Sequence, residues 1–75
     1  MEYTILVHEA EDGGFWSEVP ALSGCYSQGE TIDETFHNTK EAIESYLMAL
    51  KEDLVAAPIE ESLFIGKVRV EVAGL

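Results

Sequence analysis

The sequence predicts an α+β domain in which three short strands precede one long helix and a last strand follows it. Three observations carry that reading. Residues 3–28 fall into short β-rich runs broken by glycine and proline. Residues 32–54 repeat apolar side chains at three- and four-residue steps, and "KVRVEV" near the end alternates valine with charge. Period two marks a strand with two unlike faces, whereas steps of three and four mark one face of a helix.

Tyr3 to Glu9 reads as the first strand, with Tyr3, Ile5 and Val7 on one face and Thr4, Leu6 and His8 on the other. "EDGG" is a hairpin turn, because Asp12, Gly13 and Gly14 readily supply positive φ. Phe15 to Val19 forms the second strand, placing Phe15, Ser17 and Val19 opposite Trp16 and Glu18. Pro20 ends it, since proline offers no N–H to a central ladder. After "ALSG" the third strand runs from Cys25 to Gln28, and Gly29 closes it.

Thr31 and Glu34 form a T-x-x-E capping box, in which hydroxyl and carboxylate satisfy orphan backbone donors. Asp33 and Glu34 also complement the helix dipole in the first turn. Ile32, Phe36, Ile43, Leu47, Leu50 and Leu54, with Tyr46 beside them, make the stripe predicted to face the sheet. Asp33, His37, Glu41, Glu44 and Lys51 fall largely elsewhere. Pro58 predicts a helix end near Ala56 or Ala57. In the last strand Val68, Val70 and Val72 point inward and Lys67, Arg69 and Glu71 outward; Leu63 to Ile65 extends it, with Gly66 as a bulge.

The predicted order is therefore β-β-β-α-β: an antiparallel meander, a helical crossover, and a fourth strand parallel to a neighbour, most simply the first. One long helix covers one face of such a sheet. The other face carries Trp16, Glu18 and Tyr26, joined by Lys67 and Arg69. An aromatic-centred, half-polar face left uncovered has the character of an interface. Trp16, Glu18 and Tyr26 are accordingly the candidate partner-binding residues, and a homodimer or higher oligomer is expected.

Composition narrows the function classes. Seventy-five residues make one small domain, and 47% hydrophobic residues exclude a disordered acidic tail. No apolar run approaches the roughly 18 residues that cross a bilayer. The N-terminus "MEYTILVHEAED" carries acids where a secretion signal carries bases, and the single Cys25 cannot form an internal disulfide. Both features fit a cytoplasmic protein. Fifteen acidic residues face only Lys40, Lys51, Lys67 and Arg69, for a net charge of −11. Such a surface repels nucleic acid and attracts a basic partner, besides aiding solubility.

The ordered series of motifs resembles the HicB family of antitoxins, the neutralising half of HicA–HicB toxin–antitoxin pairs. The residues that carry the resemblance are Asp12, Gly13, Gly14 and Phe15; then Pro20, Leu22, Gly24 and Cys25. Gly29, Thr31 and Glu34 follow, then Glu41, Ala42 and Ile43 on the helix. The resemblance implies a partial RNase H-like fold that binds and masks a small, basic, mRNA-cleaving toxin. Thr35 stands where the family commonly has alanine. Many family members carry a C-terminal DNA-binding segment, which is not expected here: residues 1–75 read as a single HicB-like domain, with no nucleic-acid binding by this chain alone.

Two enzymatic alternatives compete with that reading. A degenerate RNase H-like nuclease would need carboxylates converging on metal ions. Glu9, Glu41 or Glu44, and Glu71 are available, but the middle of the first strand offers Thr4, Leu6 and His8 instead of an aspartate. Cys25 as a nucleophile, with His8 or His37 as base, lacks an orienting third group and reads better as a small buried thiol. Neither histidine has metal-ligand spacing, and both read as surface or edge residues. "DGG" and "SGC" lack the spacing of phosphate loops. The expectation is a non-enzymatic antitoxin without metal or cofactor. A stand-alone HicB-like binding or oligomerisation domain is the alternative.

Overall fold

The computed structural model describes residues 1–75. Three strands, β1 (Leu6–Glu9), β2 (Phe15–Glu18) and β3 (Tyr26–Gly29), form an antiparallel sheet in the order β1-β2-β3, and one helix, α1 (Ile32–Glu52), follows. The pairing places Val7 opposite Ser17 and Ser17 opposite Ser27. Side chains alternate across a sheet, so Val7, Phe15, Ser17 and Ser27 share the helix-facing side. Leu6, His8, Trp16, Glu18, Tyr26 and Gln28 share the other.

The β1–β2 turn is fastened by bonds from Ala10 N to Gly14 O and from Gly13 N to Ala10 O. Gly14 is required twice over: its φ is +72°, and a Cβ there would lie 2.8 Å from the Gly29 carbonyl oxygen. Between β2 and β3 the chain makes two successive turns, Leu22 N bonding Val19 O and Cys25 N bonding Leu22 O. These turns drive Leu22 inward, where it is 1% exposed beside Val19 and Cys25.

Thr31 caps α1 as expected, its hydroxyl accepting from Glu34 N at 3.0 Å. The glutamate reaches back one residue further than a capping box requires, to Glu30 N. The helix stops at Glu52 and not near Ala56. Leu54 adopts a left-handed conformation (φ +57°), Leu54 N bonds Lys51 O, and Val55 N bonds Leu50 O. That is a Schellman closure built without glycine, so Pro58 is not the residue that ends the helix.

The core differs from the predicted apolar stripe. Val19, Leu22 and Cys25 are its buried apolar centre, and Tyr3, Ile5, Ala42, Ile43, Tyr46 and Leu47 pack around them. Toward the N-terminal end of α1 the contact with the sheet is polar: Ser17, Thr35 and Thr39 are fully buried. Ser17 Oγ and Thr39 Oγ1 are 2.7 Å apart, and Thr35 Oγ1 donates to Thr31 O at 2.7 Å. Ile32 and Phe36, expected to face the sheet, are half-exposed, and Leu54 is 94% exposed. The helix approaches β3 so closely at Gly29 that small hydroxyl residues occupy the space and turn larger apolar neighbours outward.

The fourth strand is not part of the sheet, and the parallel pairing and RNase H-like outline that required it are not formed. After α1 the chain crosses to the start of β1. There the Tyr3 hydroxyl donates to Pro58 O, and Thr4 donates from both its N–H and its hydroxyl to Glu60. Residues 61–75 then run on as an exposed arm. Val68, Val70 and Val72 find no apolar surface in their own chain and are 87%, 74% and 58% exposed.

Candidate functional site

Period-two alternation in β2 sends Trp16 and Glu18 to the face that no helix covers, and Tyr26 joins them from β3. Trp16 and Tyr26 are 37% and 62% exposed. Their ring centroids are 6.3 Å apart at 52°, a tilted aromatic pair. On the other side of Trp16, the His8 ring stacks at 4.3 Å and 21°. This contact follows from register, since His8 and Trp16 are direct cross-strand partners. His8 Nε2 also lies 2.7 Å from Glu18 Oε2.

The result is a row of three rings, His8, Trp16 and Tyr26, running across all three strands with a carboxylate at one flank. It presents flat π surface that can accept apolar or cationic groups and a negative side chain that can meet a base. His8 was assigned no role from its type or spacing. Its parity in β1, together with the "EDGG" hairpin, was the signal that could have set it opposite Trp16.

The motif residues are scaffolding by position. Gly13 and Gly24 sit in turns and Asp12 and Pro20 are exposed beside them. Phe15 is half-buried under the helix, Gly29 lies against Thr35, and Thr31 with Glu34 opens α1. Ala42 and Ile43 pack on the core, while Glu41 is exposed, 3.3 Å from His37. Burial holds the Cys25 thiol above its ordinary pKa, which disfavours the thiolate. Cys25 faces the helix, whereas His8 lies on the opposite side of the sheet and His37 is exposed. No three histidine, cysteine, aspartate or glutamate side chains come together as a metal-binding group. Glu71 lies on the exposed arm. No helix is long and apolar enough to cross a membrane.

Residues 3–71 match the family described as the HicB-like antitoxin of bacterial toxin–antitoxin systems. The chain belongs to that family. Among relatives of this HicB-like chain, a UPF0150 protein of Archaeoglobus fulgidus is 39% identical over 72 residues, covering 96% of each protein. A UPF0150 protein of Synechocystis is 44% identical over 69 residues, covering 92% of this chain and 94% of the relative. Another, from Thermoplasma acidophilum, is 46% identical over 52 residues, covering 69% and 75%. Membership assigns the HicB-like chain to antitoxins in general, a class whose task is to bind a toxin.

Proposed function

We propose that this HicB-like chain neutralises a small basic HicA-type toxin by laying the face of His8, Trp16, Glu18 and Tyr26 over the surface with which that toxin binds mRNA. The observation that carries the reading is the exposed ring row on a sheet face that the fold leaves uncovered. A protein that cleaves mRNA must be positive where it meets phosphate. A chain of net charge −11 is steered toward such a surface, and Glu18 offers it a direct partner. Tryptophan and tyrosine supply the desolvated contact that dominates interface energetics. The reaction belongs to the toxin; this chain acts by occupation, in the cytoplasm, without cofactor.

The test is growth rescue and complex formation with the basic toxin encoded beside its gene. Wild type should rescue growth and form a complex that weakens with salt, mainly through slower association. Trp16→Ala and Glu18→Lys should each lose rescue while keeping the helical circular dichroism of wild type. No rescue by wild type overturns the antitoxin assignment for this pair and favours a stand-alone binding domain. Rescue by both variants as complete as wild type overturns the choice of face.

A further inference from the structure

The feature that the antitoxin reading leaves unused is the arm. Within residues 61–75 a single backbone hydrogen bond forms, from Leu75 N to Val72 O. Phe64 is 91% exposed, and every residue of the arm is exposed to solvent. Yet the family match runs through residue 71 and so takes in most of the arm. Its valine–charge alternation is the pattern of a strand with one buried face.

The protein also carries a vacant place of matching shape. β1 is an edge strand, so the side of it away from β2 has no ladder partner. The helix packs over β3 and β2 and leaves β1 at the margin. Beside the start of β1 a groove of about 310 Å³ opens between the sheet edge and the helix, lined by Met1, Tyr3, Ile5, Ile43 and Leu47 with Lys40 and Glu44 at its rim. Phe36, half-exposed, precedes Lys40, Ile43 and Leu47 at helical spacing and extends the same flank.

We propose that the arm of one chain, residues 63–72, docks as the missing edge strand along β1 of a second copy, with Val68, Val70 and Val72 over that copy's groove, and that the exchange is reciprocal. Three observations select a second copy. Each chain holds one arm and one vacant edge, so a two-fold exchange satisfies both at once. The chain is acidic overall, but Lys67 and Arg69, two of its four bases, lie on the arm, while Glu9 and Glu44 lie on β1 and at the groove. Glu71, 3.7 Å from Arg69, offsets part of that charge, so residues 63–72 carry +1 overall, which an acidic copy of this chain attracts.

The third observation is surface. The chain exposes 6303 Å². A compact monomer of 8.3 kDa exposes about 4,600 Å² by the usual size scaling. Its radius of gyration is 15.5 Å, against about 11 Å for a compact chain of this length. The excess surface, roughly 1,700 Å² per chain, would give a pair an interface in the range of obligate dimers.

The experiment uses the full chain without toxin, so its result is independent of the antitoxin reading. Benzoylphenylalanine replaces Val70, isotopically heavy and light chains are mixed, and photo-crosslinks are located by mass spectrometry beside light scattering at tens of micromolar. The expected result is a dimer with heavy–light crosslinks from position 70 to residues 3–9 or 36–47. Val68→Asp/Val70→Asp should weaken dimerisation on the order of 100-fold or more, since each carboxylate would be buried unpaired. A monomer at these concentrations, crosslinks within one chain, or crosslinks from arm to arm would each overturn the proposal. So would an Asp variant that dimerises as tightly as wild type.

Discussion

Gly29→Ala tests the closest approach in the fold. Gly29 does not have a positive φ, so alanine adds no backbone strain there, and lost chain entropy in the unfolded state alone would stabilise by about 0.4–1 kcal/mol. The added Cβ, however, would lie 2.7 Å from Thr35 N, 2.8 Å from Thr35 Oγ1 and 3.0 Å from Thr35 Cα. Two of those three atoms are backbone, so α1 itself must move. Overpacking of a close contact costs about 1–3 kcal/mol; two contacts under 3.0 Å, one of them to backbone, put this one in the upper half of that range, which leaves a net loss of about 1–2.5 kcal/mol. A small domain has roughly 0.05–0.15 kcal/mol per residue of stability in all. In urea, with a slope of about 1 kcal/mol/M, the midpoint should fall by about 1–2.5 M. Thr35→Ala in the same chain removes the hydroxyl contact but not the backbone ones, so rescue should be partial. Gly66→Ala is the control: no atom lies within 4 Å of its Cβ, and its midpoint should not fall. A Gly29→Ala midpoint equal to wild type would refute the close seating of helix on sheet.

Three further outcomes follow from the interior and the helix end. Ser17→Ala should cost about 0.5–1.5 kcal/mol in urea unfolding, because it removes one of the two hydrogen bonds of the buried Thr39 hydroxyl, which keeps its bond to Thr35 O. Ser17→Ala/Thr39→Ala should cost less than the sum of the two single changes. Leu54→Gly should raise stability by about 1 kcal/mol, since the left-handed conformation is costly for leucine and its side chain is exposed. The raised Cys25 pKa means that the unfolded thiol loses its proton first; stability is full below the ordinary value of 9.0 and falls as pH rises past it. Cys25→Ala should flatten that alkaline decline in unfolding curves measured from pH 8 to 11.

What the sequence disclosed was local chemistry. Gly13 and Gly14 announce a hairpin, Thr31 and Glu34 a helix start, and strand parity puts Trp16 and Glu18 outward, because each signal is written within a few residues. The polar seat of the helix was not legible: Thr35 and Thr39 look like surface residues until Gly29, distant in sequence, is seen to bring the backbones together. Leu54 carries no glycine signature, so the sequence pattern points to a helix end several residues beyond Glu52. "KVRVEV" discloses that a strand is wanted but not where its partner lies, since pairing is non-local. The open face was half legible; Trp16, Glu18 and Tyr26 were read from parity, whereas His8 needed the register as well.

β2 assigns neighbouring residues to separate tasks. Phe15, Ser17 and Val19 look inward and maintain the fold, while Trp16 and Glu18 look outward and contribute no core volume and no buried hydrogen bond. Substitutions on an exposed surface usually change stability by less than about 0.5 kcal/mol. If the proposed face is the binding face, partner preference can therefore drift at Trp16, Glu18, His8 and Tyr26 while the fold is held constant by the residues between them. Heritable variation in binding and heritable variation in folding are thereby uncoupled across the thickness of a single sheet, a property that lets one small scaffold track a partner whose surface changes.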